Sequence, residues 1–185
     1  MTGSAERLGA TTIALHWLIA IAIIGMLGVG LYLDDMDEGP AYDWLLGLHK
    51  AAGVLVLGAA FMRFFYRMHR GFPQPTPGVT MPASHAKLAR GTHWLLLLAT
   101  LVMPLSGVLG STAGGYPVDV FGLFVIPASE SPDDSLSSLA FVIHGLCANL
   151  LMIAILLHVG GALKHHFKDK DATLRRMYGL TTKHE

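Results

Sequence analysis

The chain has 185 residues with thirteen basic and thirteen acidic side chains, so its formal net charge is zero and the electrostatic case for a nucleic-acid partner falls away. Hydrophobic residues make up 52% and charged residues 14%, with a mean hydropathy of +0.51; a soluble domain carries roughly a quarter charged residues, so this composition excludes one and points to lipid as the solvent. The single cysteine, Cys147, sits in an apolar run, which excludes an intramolecular disulfide, argues against a cysteine-based metal site and leaves ten histidines as the expected bearers of chemistry.

A helix needs about 20 apolar residues to cross a bilayer. The first such stretch is residues 11–33, which holds His16 and runs into LYLDD. It is too long for the apolar core of a signal peptide and has no small-x-small cleavage pattern, so it is expected to be a span. An acidic loop follows, DDMDEGPAYD at 34–43. The second span is expected at 44–66, with His49 and Lys50 near its start and Arg63 near its end. GFPQPTPGVTMP at 71–82 is a proline-rich connector. The third span, 88–110, carries His93, and the loop after it is rich in Gly, Pro and Ser. That loop contains VFGLFVIP, an apolar patch expected to pack on the bundle rather than lie on the membrane. The fourth span, 139–163, holds His144, Cys147 and His158, and a basic tail occupies 164–185. There is no internal repeat.

Charge orients these spans. Twelve of the thirteen basic residues lie before the first span, between the second and third, or in the tail. The other two loops carry nine acids and no base. The rule that basic loops stay inside predicts cytoplasmic termini and an even number of crossings. The expected fold is an all-α integral membrane four-helix bundle, a single domain over 1–185 with both termini cytoplasmic.

Depth then pairs the histidines. His16 lies about five residues from the cytoplasmic end of span 1, and His158 about five from the cytoplasmic end of span 4; His49 and His144 match one another near the outer ends of spans 2 and 4. His144 and His158 are fourteen residues apart, about 21 Å along a helix axis and within about 40° of the same face. That distance excludes one site made from all four. Two pairs at two depths remain, and two imidazoles on facing helices are what a bis-histidine haem b requires. Packing histidines hydrogen-bonded to neighbouring helices are the plainer alternative. A buried polar group in lipid must be satisfied and is a functional candidate by default. Arg63 and Arg67 sit where they would meet the propionates of an inner haem, or simply anchor the topology. Lys50, the one base on the outer side, would hold an outer propionate or snorkel to the interface.

With LHWL at 15–18, LHKAAG at 48–53, the arginines of FMRFFYR at 61–67, LARGTHWLLLL and MPLSG in span 3, IHG at 143–145 and LHVGGALKHHF at 157–167 in view, the chain resembles the bacterial cytochrome b561 family over nearly its whole length. These are small four-helix dihaem b proteins of the bacterial inner membrane. The resemblance implies His16 and His158 as ligands of one haem b, His49 and His144 as ligands of the other, and exchange of electrons with membrane quinone such as ubiquinone. It also implies a quinone contact at His165, seven residues past the last ligand, with Lys87 as a second. Some members resemble superoxide oxidase, which takes electrons from superoxide at the outer face; only in that case would the chain be an enzyme in its own right. The nine acids outside weaken the steering of an anion to that face.

Two rival readings stand beside this one. The chain is a cytochrome b anchor subunit of a larger dehydrogenase- or hydrogenase-type complex, or it is a haemless transporter using histidines as a proton relay. His93 and His166 are read as interfacial packing or a solvated helix end, and His69, His85 and His184 as loop or tail residues.

Overall fold

A computed structural model of the chain describes residues 8–73 and 82–180. Four long helices account for most of it: α1 (Ala10–Asp34), α2 (Pro40–Arg70), α3 (Ala83–Ala113) and α4 (Asp134–Phe167). Each is long and apolar enough to cross a membrane. In lipid a backbone polar group finds no water, so an uninterrupted helical ladder is the structure such segments must adopt. Most of the proline-rich connector, and His184 with the last residues of the tail, lie outside the described residues.

Local chemistry sets the helix ends. Pro40 opens α2, where its missing N–H costs nothing, and Gly71 closes the helix at φ +71. Asp133 caps α4, its carboxylate accepting from the Leu136 amide at 2.9 Å, a contact worth about 1 kcal/mol. Inside α3, Pro104 removes one ladder donor. Side chains engage the backbone around it: Ser106 Oγ donates to the Met103 carbonyl at 2.8 Å and Thr100 Oγ1 to the Leu97 carbonyl at 3.0 Å.

The core runs through all four helices. Ile19, Ile23 and Leu27 of α1, Val56 of α2, Ala99 and Met103 of α3 and Leu151 of α4 form one buried cluster. Leu18, Ile21, Phe65, Leu146, Leu156 and other large side chains point outward. In water such a surface would aggregate; in a bilayer it is the lipid-facing wall.

Two elements depart from an all-α expectation. Residues 118–126 form an antiparallel hairpin, β1 (Val118–Val120) paired with β2 (Phe124–Ile126), with Val118 opposite Ile126 and Val120 opposite Phe124. The alternation Val-Asp-Val gives β1 one buried face, packed against α2, and Gly122 permits the turn. Phe121 shares that turn at φ +54, a left-handed conformation that costs a bulky residue about 1–2 kcal/mol. The apolar patch thus divides: Val118 and Val120 are 0% exposed, while Phe121–Val125 is exposed. In the tail, a short α5 (Thr173–Met177) folds back, with Trp17 Nε1 donating to the Met177 carbonyl at 2.8 Å and the Tyr178 ring stacked 5.3 Å from Trp17.

Candidate functional site: two histidine pairs across the bundle

At one end of the bundle, His16 of α1 faces His158 of α4 with ring centroids 6.0 Å apart and planes at 60°. Arg63 of α2 donates from Nη2 to His16 Nδ1 at 3.3 Å. Arg67, one turn further, is 8% exposed; it donates from Nη1 to the Gly71 carbonyl at 3.3 Å and lies 5.6 Å from the Tyr66 ring. His93 of α3 comes within 5.3 Å of His158, ring to ring, and stacks near Phe72. All four helices therefore meet here, and they do so from alternate ends of the sequence elements. His16 and His93 lie early in α1 and α3, Arg63 and His158 late in α2 and α4. That placement requires an up-down-up-down bundle.

At the other end, His49 of α2 faces His144 of α4 at 6.4 Å between centroids and 77° between planes. His144 Nδ1–H donates to the Met103 carbonyl at 2.7 Å. That bond fixes the tautomer and leaves Nε2 free to coordinate, the usual arrangement behind a metal-bound imidazole. Gly107 makes the approach feasible, since a Cβ there would lie 2.9 Å from His144 Cε1. Gly30 faces His49 more loosely, its would-be Cβ 3.5 Å from Cε1. His49 Nδ1 is buried with no hydrogen-bond partner. Lys50 Nζ stands 6.0 Å from the Tyr116 ring.

These features fit a metal held between imidazoles. A metal–imidazole bond of about 2 Å on each side, with each ring's own radius of about 1.1 Å, sums to about 6 Å between centroids, and the two pairs stand at 6.0 and 6.4 Å. A buried imidazole nitrogen left unpaired, as at His49, is costly unless the ring has another function.

The remaining candidates lie elsewhere. His165 is held by the tail: its Nδ1 is 2.7 Å from Asp171 Oδ2 and 3.1 Å from Asp169 Oδ2, and Lys164 Nζ reaches the same Asp169 oxygen at 2.7 Å. Lys87 is exposed in the first turns of α3. Sequence reasoning left His93 as interfacial packing or a solvated helix end, yet it stands beside His158. The signal was there in the spacing: His93 is about five residues into span 3 and so level with His16 and His158. The Met103 carbonyl and Gly107 could not be found that way, since nothing in the sequence says which backbone a histidine will touch.

Residues 7–179 match the family model described as prokaryotic cytochrome b561. The chain is 35% identical over 182 residues to cytochrome b561 homolog 2 of Escherichia coli (strain K12), covering 98% of this chain and 96% of that protein. It is 30% identical to cytochrome b561 homolog 1 of the same organism, across 93% of this chain and 97% of that one. To the probable superoxide oxidase CybB of Yersinia pestis it is 28% identical, across 93% and 96%.

Proposed function

The chain belongs to the prokaryotic cytochrome b561 family, a multi-pass haem b electron-transfer protein of the bacterial inner membrane, and from that premise we propose that it holds two haems and exchanges electrons between a donor at the outer face and the quinone pool. His16 and His158 hold the inner haem b and His49 and His144 the outer one. The observation that carries this is the recurrence of one ring separation, 6.0 and 6.4 Å, in two histidine pairs that each bridge facing helices. Bound haem supplies the one-electron couple. The residues of the chain do the rest: they fix the imidazoles, exclude water and balance charge.

Arg63 and Arg67 are the cations beside the inner pair and pair with its propionates, and Lys50 serves the outer group. Both termini face the cytoplasm, as the charge asymmetry of the loops supports. His165, with Lys87, contacts ubiquinone at the cytoplasmic end; His165 meets the requirement for an oriented imidazole because Asp171 engages its Nδ1 and leaves Nε2 as the nitrogen for a ligand. The donor is superoxide or a redox protein. A relative named as a probable superoxide oxidase favours the first, and nine acids on the outer loops favour a basic protein partner.

The test is the haem count. The pyridine haemochrome spectrum of the purified chain is expected to give two haem b per polypeptide, and stopped-flow reduction by superoxide or by quinol then identifies the donor. A colourless protein would return the histidines to packing or proton relay. Co-purification of a dehydrogenase partner would make the chain its membrane anchor.

A further inference from the structure

The exposed apolar side chains of the four helices are accounted for by lipid. Among the described residues the largest exposed apolar cluster off the helices is the tip of the hairpin, with Leu123 78% and Phe124 52% exposed beside Phe121 and Val125. Three features bear on what covers it. The hairpin is anchored, because Val118 and Val120 are fully buried and β1 packs on α2. Its level is fixed by Tyr116, two residues before β1, whose ring lies 6.0 Å from Lys50 Nζ. Lys50 lies six residues past Trp44, the expected start of the second span, so the chain enters β1 near the expected margin of the bilayer. Exposed Tyr32, Trp44 and Tyr116 lie at this same end, the residue types that gather where headgroups meet hydrocarbon.

No side chain of the tip itself is ionised. Residues 120–128 carry no charge, and the carboxylate next in sequence, Asp119, reaches into the turn, where it accepts from the Gly122 amide at 2.8 Å. The turn keeps a phenylalanine at φ +54 where Asn or Gly would sit without strain. Strain retained to keep an aromatic at an exposed tip is a sign of use.

We propose that Phe121–Val125 is a lipid anchor, a wedge seated in the interfacial layer of the bilayer and continuous with the lipid-facing wall of α2. Its apolar rings take the place there that an amphipathic helix face takes in a monotopic protein. The seat holds the hairpin, and through Val118 and Val120 the cap it forms on the bundle, at a fixed height above the His49–His144 pair.

The experiment is site-directed spin labelling. Leu123→Cys, Val125→Cys and, as a control in the same loop, Ser129→Cys are each made in a Cys147→Ala background, labelled with a nitroxide and reconstituted in phosphatidylcholine–phosphatidylglycerol vesicles. Collision with oxygen relative to a water-soluble nickel chelate is expected to be several-fold higher at 123 and 125 than at 129. Equal ratios at all three positions would overturn the anchor. Dipolar broadening at 123 that disappears on dilution with unlabelled protein would overturn it too, in favour of a second copy. Should the cysteine variants misfold, hydroxyl-radical footprinting of the unmodified chain in nanodiscs decides the same point. Phe121 and Phe124 are expected to be modified less than the 129–132 segment despite their greater intrinsic reactivity, and modification above that segment would reject the proposal. None of these outcomes depends on the haem count.

Discussion

His16 and His158 meet among side chains from all four helices, with two arginines and a third histidine within reach. His49 and His144 meet between α2 and α4, and α3 offers His144 backbone: the carbonyl of Met103 and the bare Cα of Gly107. The inner pair thus has side chains that can adjust around it, while His144 of the outer pair is held by main chain that cannot. One ring separation is reached by two methods, and they should fail differently.

The largest expected effect is the loss of one cofactor. His49→Ala or His144→Ala should halve the haem content and leave the inner haem's spectrum intact, whereas His16→Ala or His158→Ala should remove the inner one. Loss of both from a single substitution, measured by haemochrome and redox titration, would show that the two groups do not bind independently.

Next comes Gly107→Ala. A methyl group 2.9 Å from His144 Cε1 has backbone on its own side and an imidazole on the other, so His144 must move. Overpacking of this kind costs about 1–3 kcal/mol. The outer haem should be lost or become five-coordinate while the inner one persists. Gly30→Ala is the control, since its methyl would stand 3.5 Å from His49, at ordinary contact distance. Equal effects from the two alanines would refute the view that α3 backbone sets the outer pair.

His93→Leu sharpens the inner side. With His16 and His158 as the ligands, both haems should remain, and only the potential of the inner one should move. Disappearance of the inner haem would make His93 a ligand and His158 or His16 its neighbour.

The four crossings, the paired depths of the histidines and the basic and acidic loops were all legible in the sequence, because hydropathy, a 1.5 Å rise and the position of Lys and Arg are properties of a chain read in one dimension. Contacts between helices were not. His144 on the Met103 carbonyl, Phe121 in a left-handed turn and Trp17 on the Met177 carbonyl each join residues whose meeting depends on how helices rotate and how loops return. The hairpin was hidden for a related reason: three-residue strands are too short for alternation to stand out, and VFGLFVIP reads as one apolar run until the turn at Gly122 divides it. The folded-back tail was hidden because α5 is held by its packing on α4 and by Trp17 of α1, not by its own periodicity.

That tail gives the smaller effects. Trp17→Phe keeps the ring stack with Tyr178 but leaves the Met177 carbonyl without its donor, for a loss of about 1 kcal/mol. Trypsin should then cut faster after Arg175 and Arg176, with the outer haem unchanged.

The smallest effect is a pH dependence in the same place. Asp169 is held below the usual carboxylate range by the Lys164 ammonium that bonds it. Burial pushes Asp171 the other way, but hydrogen bonds from the Thr173 hydroxyl, the Thr173 amide and His165 outweigh it, so Asp171 also titrates low. A depressed folded value means that the carboxylates' contribution is complete above the unfolded value of 3.8 and is lost as pH falls through the lower folded values. Between pH 5 and 8 these acids should therefore make no difference to the tail, and below pH 4 the grip on His165 should loosen. Asp171→Asn should reproduce the loosening at neutral pH, by about 1 kcal/mol for the weakened hydrogen bond to His165. Amide-exchange protection of residues 171–178 reads both effects. Protection that weakens between pH 5 and 8 while the low-pH step is absent would place the titrating group on a histidine instead of the acids.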